Sequence, residues 1–270
     1  MKILATDLDR TLLPNGRWPA DARSIPLFNE LTNRPEMLVV YVTGRNLSLT
    51  EQAIEQYGVR HPHVLIGDVG TTIRRYDGGQ WRDDEGWAKL IHKRSPRWDR
   101  LALREALSTL DGLTEQAAEH LNAFKQSYDI DHRNREAILA EIGERVEGRF
   151  DEVFIYSYDS QADKGLLDFL PNSATKLTAL AYVAEKAGAE NDDVVFCGDS
   201  GNDIFPLTAG FNGVLVRNAD EQLVENVLRA QRENPSLKLY FAKGEFQDLN
   251  GYYTSGVIEG AYHYGLFATT

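Results

Sequence analysis

Ile3-Leu4-Ala5-Thr6-Asp7-Leu8-Asp9-Arg10-Thr11-Leu12-Leu13 decides how the rest of the chain is read. An apolar run of strand length ends in two aspartates at i and i+2, then a threonine. Such a run predicts a parallel strand buried on both faces. If Asp7 and Asp9 continue the strand, their side chains share one face. The carboxyl end of such a strand is where open α/β sheets bind ligands. Two carboxylates held close repel each other, so the site needs a cation, a shared proton or both. Hard oxygen ligands of this kind favour Mg2+. Taken alone, the pattern also fits a strand end whose acids cap the next turn.

Outward from this stretch, strand and helix alternate. Pro14-Asn15-Gly16 signals a turn, and a helix opens at Ser24 with Pro26 near its start. Met37 to Val42 predicts a second strand that ends in Thr43-Gly44-Arg45. The helix after it has Ser48 and Glu51 at capping-box spacing and Gly58 at its end. Strand, small polar loop and helix make a phosphate cradle, because a hydroxyl and the N–H groups of a helix start both donate to an anion. Taken alone, Thr43 also reads as an ordinary cap. Val64 to Gly67 predicts a third strand, and Asp77-Gly78 a hairpin turn.

From 80 to 165 the character changes. The residues are rich in Trp, Arg and Glu, with helices around Leu101 to Leu110 and Ile138 to Val146 and strands at 123–130 and 153–158. Short antiparallel strands with helices on one face make an α+β layer, here an inserted lid. The core is expected to resume at Leu166-Leu167-Asp168-Phe169-Leu170-Pro171. Lys176 then stands in the first turn of a helix, where it opposes the macrodipole. That misfit suggests an anion beside it; without its neighbours, Lys176 reads as a solvated surface lysine. Val194 to Cys197 predicts the next strand, delivering Gly198-Asp199-Ser200-Gly201-Asn202-Asp203, where two glycines allow sharp turns and two acids and an amide converge within six residues. Strands at 213–219 and 239–242, a helix after Asp220 and a closing helix at 254–264 follow. The expected fold is a doubly wound parallel α/β core (1–79 and 166–270) with an inserted α+β cap (80–165).

Composition narrows the function. With 270 residues, 42% hydrophobic and 26% charged, the chain is ordinary globular material of one or two domains. No run reaches the roughly 18 apolar residues of a membrane span. Acids appear too soon after Met1 for a signal peptide, and Cys197 is the single cysteine, so a cytoplasmic location is expected. The net charge of −12 argues against nucleic-acid binding. An anionic substrate then needs a local cluster of Lys, Arg and metal to reverse the field.

Taken together and in order, Asp7-Leu8-Asp9-Arg10-Thr11, Val42-Thr43-Gly44-Arg45, Lys176 and Gly198 to Asp203 resemble the four motifs of the haloacid dehalogenase-like (HAD) phosphatases. The resemblance implies a Rossmann-like core and a role for each residue. Asp7 would attack phosphorus, and Asp9 would serve as general acid and base. Thr43, with Gly44 and Arg45, would hold the phosphoryl group, and Lys176 would neutralise it and the nucleophile. Asp7, the backbone carbonyl of Asp9 and Asp199 would bind Mg2+, Asp203 would support them, and Asn202 would contact phosphate or substrate. Within that superfamily the chain is similar to sucrose-phosphate phosphatases and to mannosylfructose-phosphate and glucosylglycerol-phosphate relatives. Val69-Gly70-Thr71, Phe124 to Tyr128, Leu167 to Pro171, Cys197 to Ile204 and Gly213 to Ala219 carry that likeness. The lid supplies sugar contacts in these relatives, which makes Lys125 a candidate substrate ligand. Two residues depart from the pattern: Arg10 replaces the usual Gly or Asn, and Leu177 the usual Gly.

The resemblance implies a Mg2+-dependent phosphatase of a sugar phosphate: sucrose 6-phosphate or a related disaccharide or glycoside phosphate, mannosyl-3-phosphoglycerate included. The glycosyl-phosphate synthase of the same pathway is a candidate partner. A phosphomutase is the rival within enzymes. A non-catalytic phosphosugar-binding partner of a glycosyltransferase is the rival outside them, and it should have lost Asp7, Asp9, Lys176 or Asp199. Among other residues, Trp81, Trp87 and Trp98 read as packing before sugar stacking. His61 and His63 make an incomplete metal site, and Cys197 reads as a small buried hydrophobe.

Overall fold

A computed structural model describes residues 1–159 and 162–267. The first half of the chain runs β1 (Lys2–Thr6), α1 (Ser24–Leu31), β2 (Met37–Val42), α2 (Leu47–Tyr57), β3 (Val64–Gly67), β4 (Thr72–Asp77) and β5 (Gln80–Asp83). There follow α3 (Glu85–Arg94), α4 (Arg100–Leu107), β6 (Leu113–Glu115), β7 (Gln126–Ile130), α5 (Arg135–Val146), β8 (Glu152–Asp159) and β9 (Lys164–Pro171). The rest is α6 (Lys176–Lys186), β10 (Val194–Gly198), α7 (Ile204–Leu207), β11 (Asn212–Leu215), α8 (Glu221–Glu233), β12 (Leu239–Phe241) and α9 (Thr254–His263).

The larger sheet has the order β12-β11-β10-β1-β2-β3-β4-β5, parallel from β12 to β3 and closed by an antiparallel hairpin. This is the doubly wound α/β core, with β1 at its centre. Alternate residues of the central strands enter opposite cores, as the pleat requires. Ile3, Ala5, Val40, Val42, Val194 and Phe196 pack with α6, α8 and Trp87 of α3. Leu4, Val39, Tyr41, Val195 and Cys197 pack with α1, α2 and α9 on the other face. Thr6 is level with Tyr41 on one side and Cys197 on the other. The residues after β1, β2 and β10 therefore emerge together at one edge.

The smaller sheet, β6-β7-β9-β8, is antiparallel throughout. Tyr128, Ile130, Leu167 and Phe169 turn toward α4 and α5. The alternate residues Asp129, Leu166 and Asp168 turn toward a cleft shared with the larger sheet's edge.

Sheet pairing departs from the boundaries expected at 79/80 and 165/166. Gln80–Asp83 pairs with β4 in the larger sheet, and Trp87 and Ile91 join that core. Lys164–Pro171 pairs with β7 and β8 instead of resuming the core. The Asp77-Gly78 turn closes a hairpin, with φ 57° at Gly78 and 81° at Gly79, and does not open the insertion. Capping also differs from the spacing. Asn46, not Ser48, caps α2, accepting from Leu49 N, and the Asp220 side chain makes no cap at α8. The strand expected at 123–130 begins at Gln126, because Asn122 and Lys125 close a tight turn through two 3.2 Å backbone bonds.

Candidate active site

Asp7 follows β1 directly, its N–H bonded to Cys197 O at 2.9 Å. Its carboxyl oxygen lies 3.1 Å from Lys176 Nζ. Lys176 opens α6, whose start is fixed by Thr175 and Thr178 in a reciprocal cap. The ammonium is buried and donates to Asp203 Oδ1 at 2.8 Å and Asn202 Oδ1 at 2.9 Å. Burial works against the charge on Lys176, but Asp203 and Asp7 outweigh it and hold the amine protonated. Burial pushes Asp7 up to about 7 against the pull of Lys176, with Asp203 and Asp9 adding to the rise.

β10 delivers the other acids. Asp203 Oδ2 accepts from the N–H groups of Asp199 and Ser200 at 3.0 and 3.1 Å, and its Oδ1 takes Lys176, so both oxygens are engaged. Gly198 makes this fold-back possible, since a Cβ there would stand 2.6 Å from Asp203 Cβ. Asp199 Oδ1 accepts from Thr11 Oγ1 at 2.8 Å, but its Oδ2 is buried without a hydrogen bond. Burial raises the Asp199 pKa well above the ordinary carboxylate value, against the opposing charge of Arg10. One oxygen each of Asp7, Asp199 and Asp203 lie within 4.8 Å of one another. An oxygen-only set with one buried carboxylate oxygen that makes no hydrogen bond fits a hard divalent cation. Asp7 and Asp199 are the available ligands, because Asp203 is already spent on Lys176 and two N–H groups.

Asp9 stands apart from this cluster. Arg45 grips it with Nη2 at 2.6 Å and Nε at 2.8 Å, and Asn15 Nδ2 donates at 2.5 Å. Burial opposes ionisation of Asp9, but the Arg45 and Asn15 bonds win and hold its pKa below the ordinary value. In this arrangement Asp9 is held ionised. Thr43 is buried, with Oγ1 accepting from Arg45 N at 3.1 Å. Thr43 N and O are taken by Ile66 and Val69, so the cradle is tied to the loop after β3.

The cleft above these residues is about 720 Å³, within the roughly 300–1,000 Å³ of small-molecule sites. Asp7, Asp9, Gly44, Arg45 and Asn202 line its floor, while Thr43, Lys176, Asp199 and Asp203 lie buried behind it. The smaller sheet forms the roof. There Lys125 is buried, 3.5 Å from Asp168, and Lys164 pairs with Asp129 at 2.6 Å. The residues singled out from the motifs therefore meet around one cleft, and Lys125 faces them from the roof.

Several cleft residues escaped the sequence reading. Asn15 was visible only as part of a turn signal, and Asp168 only as part of an apolar strand. The charged roof residues Asp129 and Lys164 fell in a stretch without a motif. The three tryptophans pack, as expected: Trp87 is buried with Nε1 on Gly70 O, Trp98 Nε1 reaches Ala123 O, and Trp81 Nε1 reaches Glu51. His63 Nδ1 accepts from Val39 N and His61 stacks on Tyr76, so neither is arranged for a metal. Cys197 is buried and its thiol is pushed up by burial. No helix among the described residues is long and apolar enough to cross a membrane.

The family model of sucrose-6F-phosphate phosphohydrolase matches residues 1–265. The chain belongs to that family. This sucrose-phosphatase-like chain is similar to a protein of Nitrosococcus oceani named as a HAD-like hydrolase, 37% identical over 97% of this chain and 71% of that one. It is 27% identical to the mannosylfructose-phosphate phosphatase of Agrobacterium fabrum, over 98% of each. It spans about half the length of the plant sucrose-phosphatases that it also matches. Its fold is that of the sucrose-phosphatase of Synechocystis solved with sucrose and phosphate, at TM-score 0.80 and 24% identity over 99% of each chain.

Proposed function

We propose that this member of the sucrose-phosphatase-like family hydrolyses a sugar phosphate monoester with Mg2+, through a phosphorylated Asp7. The observation that carries the reading is Asp7 on the floor of a cleft with a polar roof, paired with a buried Lys176 that Asp203 holds from behind. The Asp7 carboxylate attacks phosphorus in line, and the phosphorus–sugar oxygen bond breaks as the new ester forms. Asp9, protonated at that moment, gives its proton to the departing sugar oxygen. Water then attacks the phosphorus of the aspartyl-phosphate and passes a proton to Asp9, releasing phosphate and the free Asp7 carboxylate. The Arg45-bound, ionised Asp9 suits this second step, and the first requires Asp9 to leave Arg45 and take up a proton. Lys176 and the cradle at Thr43, Gly44 and Arg45 offset charge on the phosphoryl oxygens. Held by Asp7, Asp199 and the Asp9 backbone carbonyl, Mg2+ would neutralise nucleophile and phosphoryl group together.

Sucrose 6-phosphate is the first candidate substrate, supported by the family match across residues 1–265. Mannosylfructose phosphate is the second, supported by the Agrobacterium relative of nearly equal length. The cap of 80–165, redrawn by the pairing of β5 and β9, is the proposed sugar-recognising unit, with Lys125 as one contact. The test is phosphate release with Mg2+ against both disaccharide phosphates, glucosylglycerol phosphate, mannosyl-3-phosphoglycerate and hexose phosphates. A sharp preference that vanishes in Asp7→Asn is expected. Turnover retained by folded Asp7→Asn would sink the assignment.

A further inference from the structure

Arg10 is the residue in the first motif that departs from the usual Gly or Asn, and its surroundings are unusual. Its φ is 58°, a left-handed conformation that an arginine seldom adopts. The backbone is pinned on both sides: Arg10 N donates to Asn15 Oδ1 at 2.7 Å, and Arg10 O accepts from Asn218 Nδ2 at 2.6 Å. The guanidinium is thereby directed between two acids. Nε lies 3.1 Å from Asp199 Oδ2, and Nη1 and Nη2 lie 3.4 and 3.3 Å from the Asp220 carboxylate. The approach to Asp199 is close but not aligned as a hydrogen bond, so that oxygen has a neighbouring charge without a directional bond. The two acids differ sharply: the Asp199 side chain is 1% exposed and that of Asp220 is 42% exposed.

The charges of the site sort into pairs. Lys176 answers Asp7 and Asp203, Arg45 answers Asp9, and Arg10 is left facing Asp199. A divalent cation held by Asp7 and Asp199 would meet the guanidinium at the same oxygen. We propose that Arg10 is a tethered counter-cation of Asp199 that competes with the divalent cation and so weakens its binding. Asp220, on the solvent side, keeps the other end of the fork when the ion takes Asp199. Arg10 in this view is a positioning residue that acts through Asp199, and the proposal rests on the metal reading above.

The test needs no turnover. Arg10→Asn removes the charge while keeping a residue that tolerates the left-handed backbone, and Arg10→Lys keeps the charge. Calorimetric titration of substrate-free protein with Mg2+ should show Arg10→Asn binding about tenfold more tightly than wild type, one decade of Kd for a lost competing charge. Arg10→Lys should stay within about threefold of wild type, a lysine being a point charge on the same tether. The rise in melting temperature at saturating Mg2+ should be larger for Arg10→Asn, by linkage. Wild type that binds Mg2+ with folded Arg10→Asn equal or weaker would overturn the Arg10 role and leave the metal reading standing. Folded wild type and Arg10→Asn that both fail to bind Mg2+ would overturn the metal reading and this inference with it.

Discussion

At the scale of single residues the site works by giving each charge a different answer. Lys176 bridges two acids, while Asp9 is turned aside to Arg45 and Asn15. In the proposed mechanism Asp9 does the proton work, and Asp9→Asn should lower kcat by about a hundred- to ten-thousandfold on a sugar phosphate. The loss should be much smaller on an aryl phosphate, whose leaving group departs without a proton. Steady-state kinetics on both substrates checks this, and an equal loss on both would remove Asp9 as the acid. Three candidate residues were legible because each follows a strand end: Asp7 after β1, Thr43 after β2, Asp199 after β10. Arg10 was legible only as an oddity. Its partners Asp199 and Asp220 are far away in sequence, and no local pattern reports a guanidinium spanning two acids.

At the scale of elements, the loop Asp68-Val69-Gly70 ties the parts together. All three residues have positive φ, 52°, 62° and 108°, which for a β-branched valine is a true outlier. The loop is held at both ends of its function. Asp68 N and Val69 N bond Arg45 O and Thr43 O at 2.9 and 3.0 Å in the cradle. Val69 packs on Ile155 and Leu170 of the smaller sheet. Gly70 lies so close to α6 that a Cβ would stand 2.6 Å from Lys176 N. Gly70→Ala should therefore destabilise the fold by about 2–4 kcal/mol through strain and overpacking and lower kcat by moving Lys176. Gly58→Ala, at φ 66° with nothing within 4 Å, should cost only about 1–2 kcal/mol and spare activity. Urea denaturation and kinetics on the two variants decide it, and equal effects would deny the loop its linking role. Many element types were readable from periodicity, though the helix Glu85–Arg94 and the short strands Gln80–Asp83 and Leu113–Glu115 were not, and neither was sheet membership. Leu166 to Pro171 is apolar enough for a core strand, yet hairpin pairing with Glu152–Asp159 places it in the other sheet.

At the scale of the whole molecule, a chain of net charge −12 gathers Lys176, Arg10, Arg45 and Lys125 around one cleft. Net charge gave no hint of this, because a sum over the surface says nothing about where a fold converges its cations. The convergence still leaves the buried acids short of partners, and that has a consequence for stability. Burial raises Asp7 to about 7 and raises Asp199, so the folded protein binds protons that the unfolded chain has released. Stability from these two groups is complete below their unfolded pKa, near 3.8, and is lost as pH rises through the folded values. His63 acts oppositely, its pKa lowered by burial and by Arg60 from 6.5, so it adds stability as pH rises. The acid contribution is isolated by comparison with Asp199→Asn, which keeps His63 and removes one raised carboxyl. Without metal, wild-type melting temperature should fall more steeply as pH rises above the unfolded carboxylate value of 3.8 than that of Asp199→Asn. With saturating Mg2+ the wild-type slope should flatten, because a cation on Asp7 and Asp199 favours their ionised forms. Parallel slopes for the two proteins without metal would show that Asp199 does not hold an extra proton in the folded state.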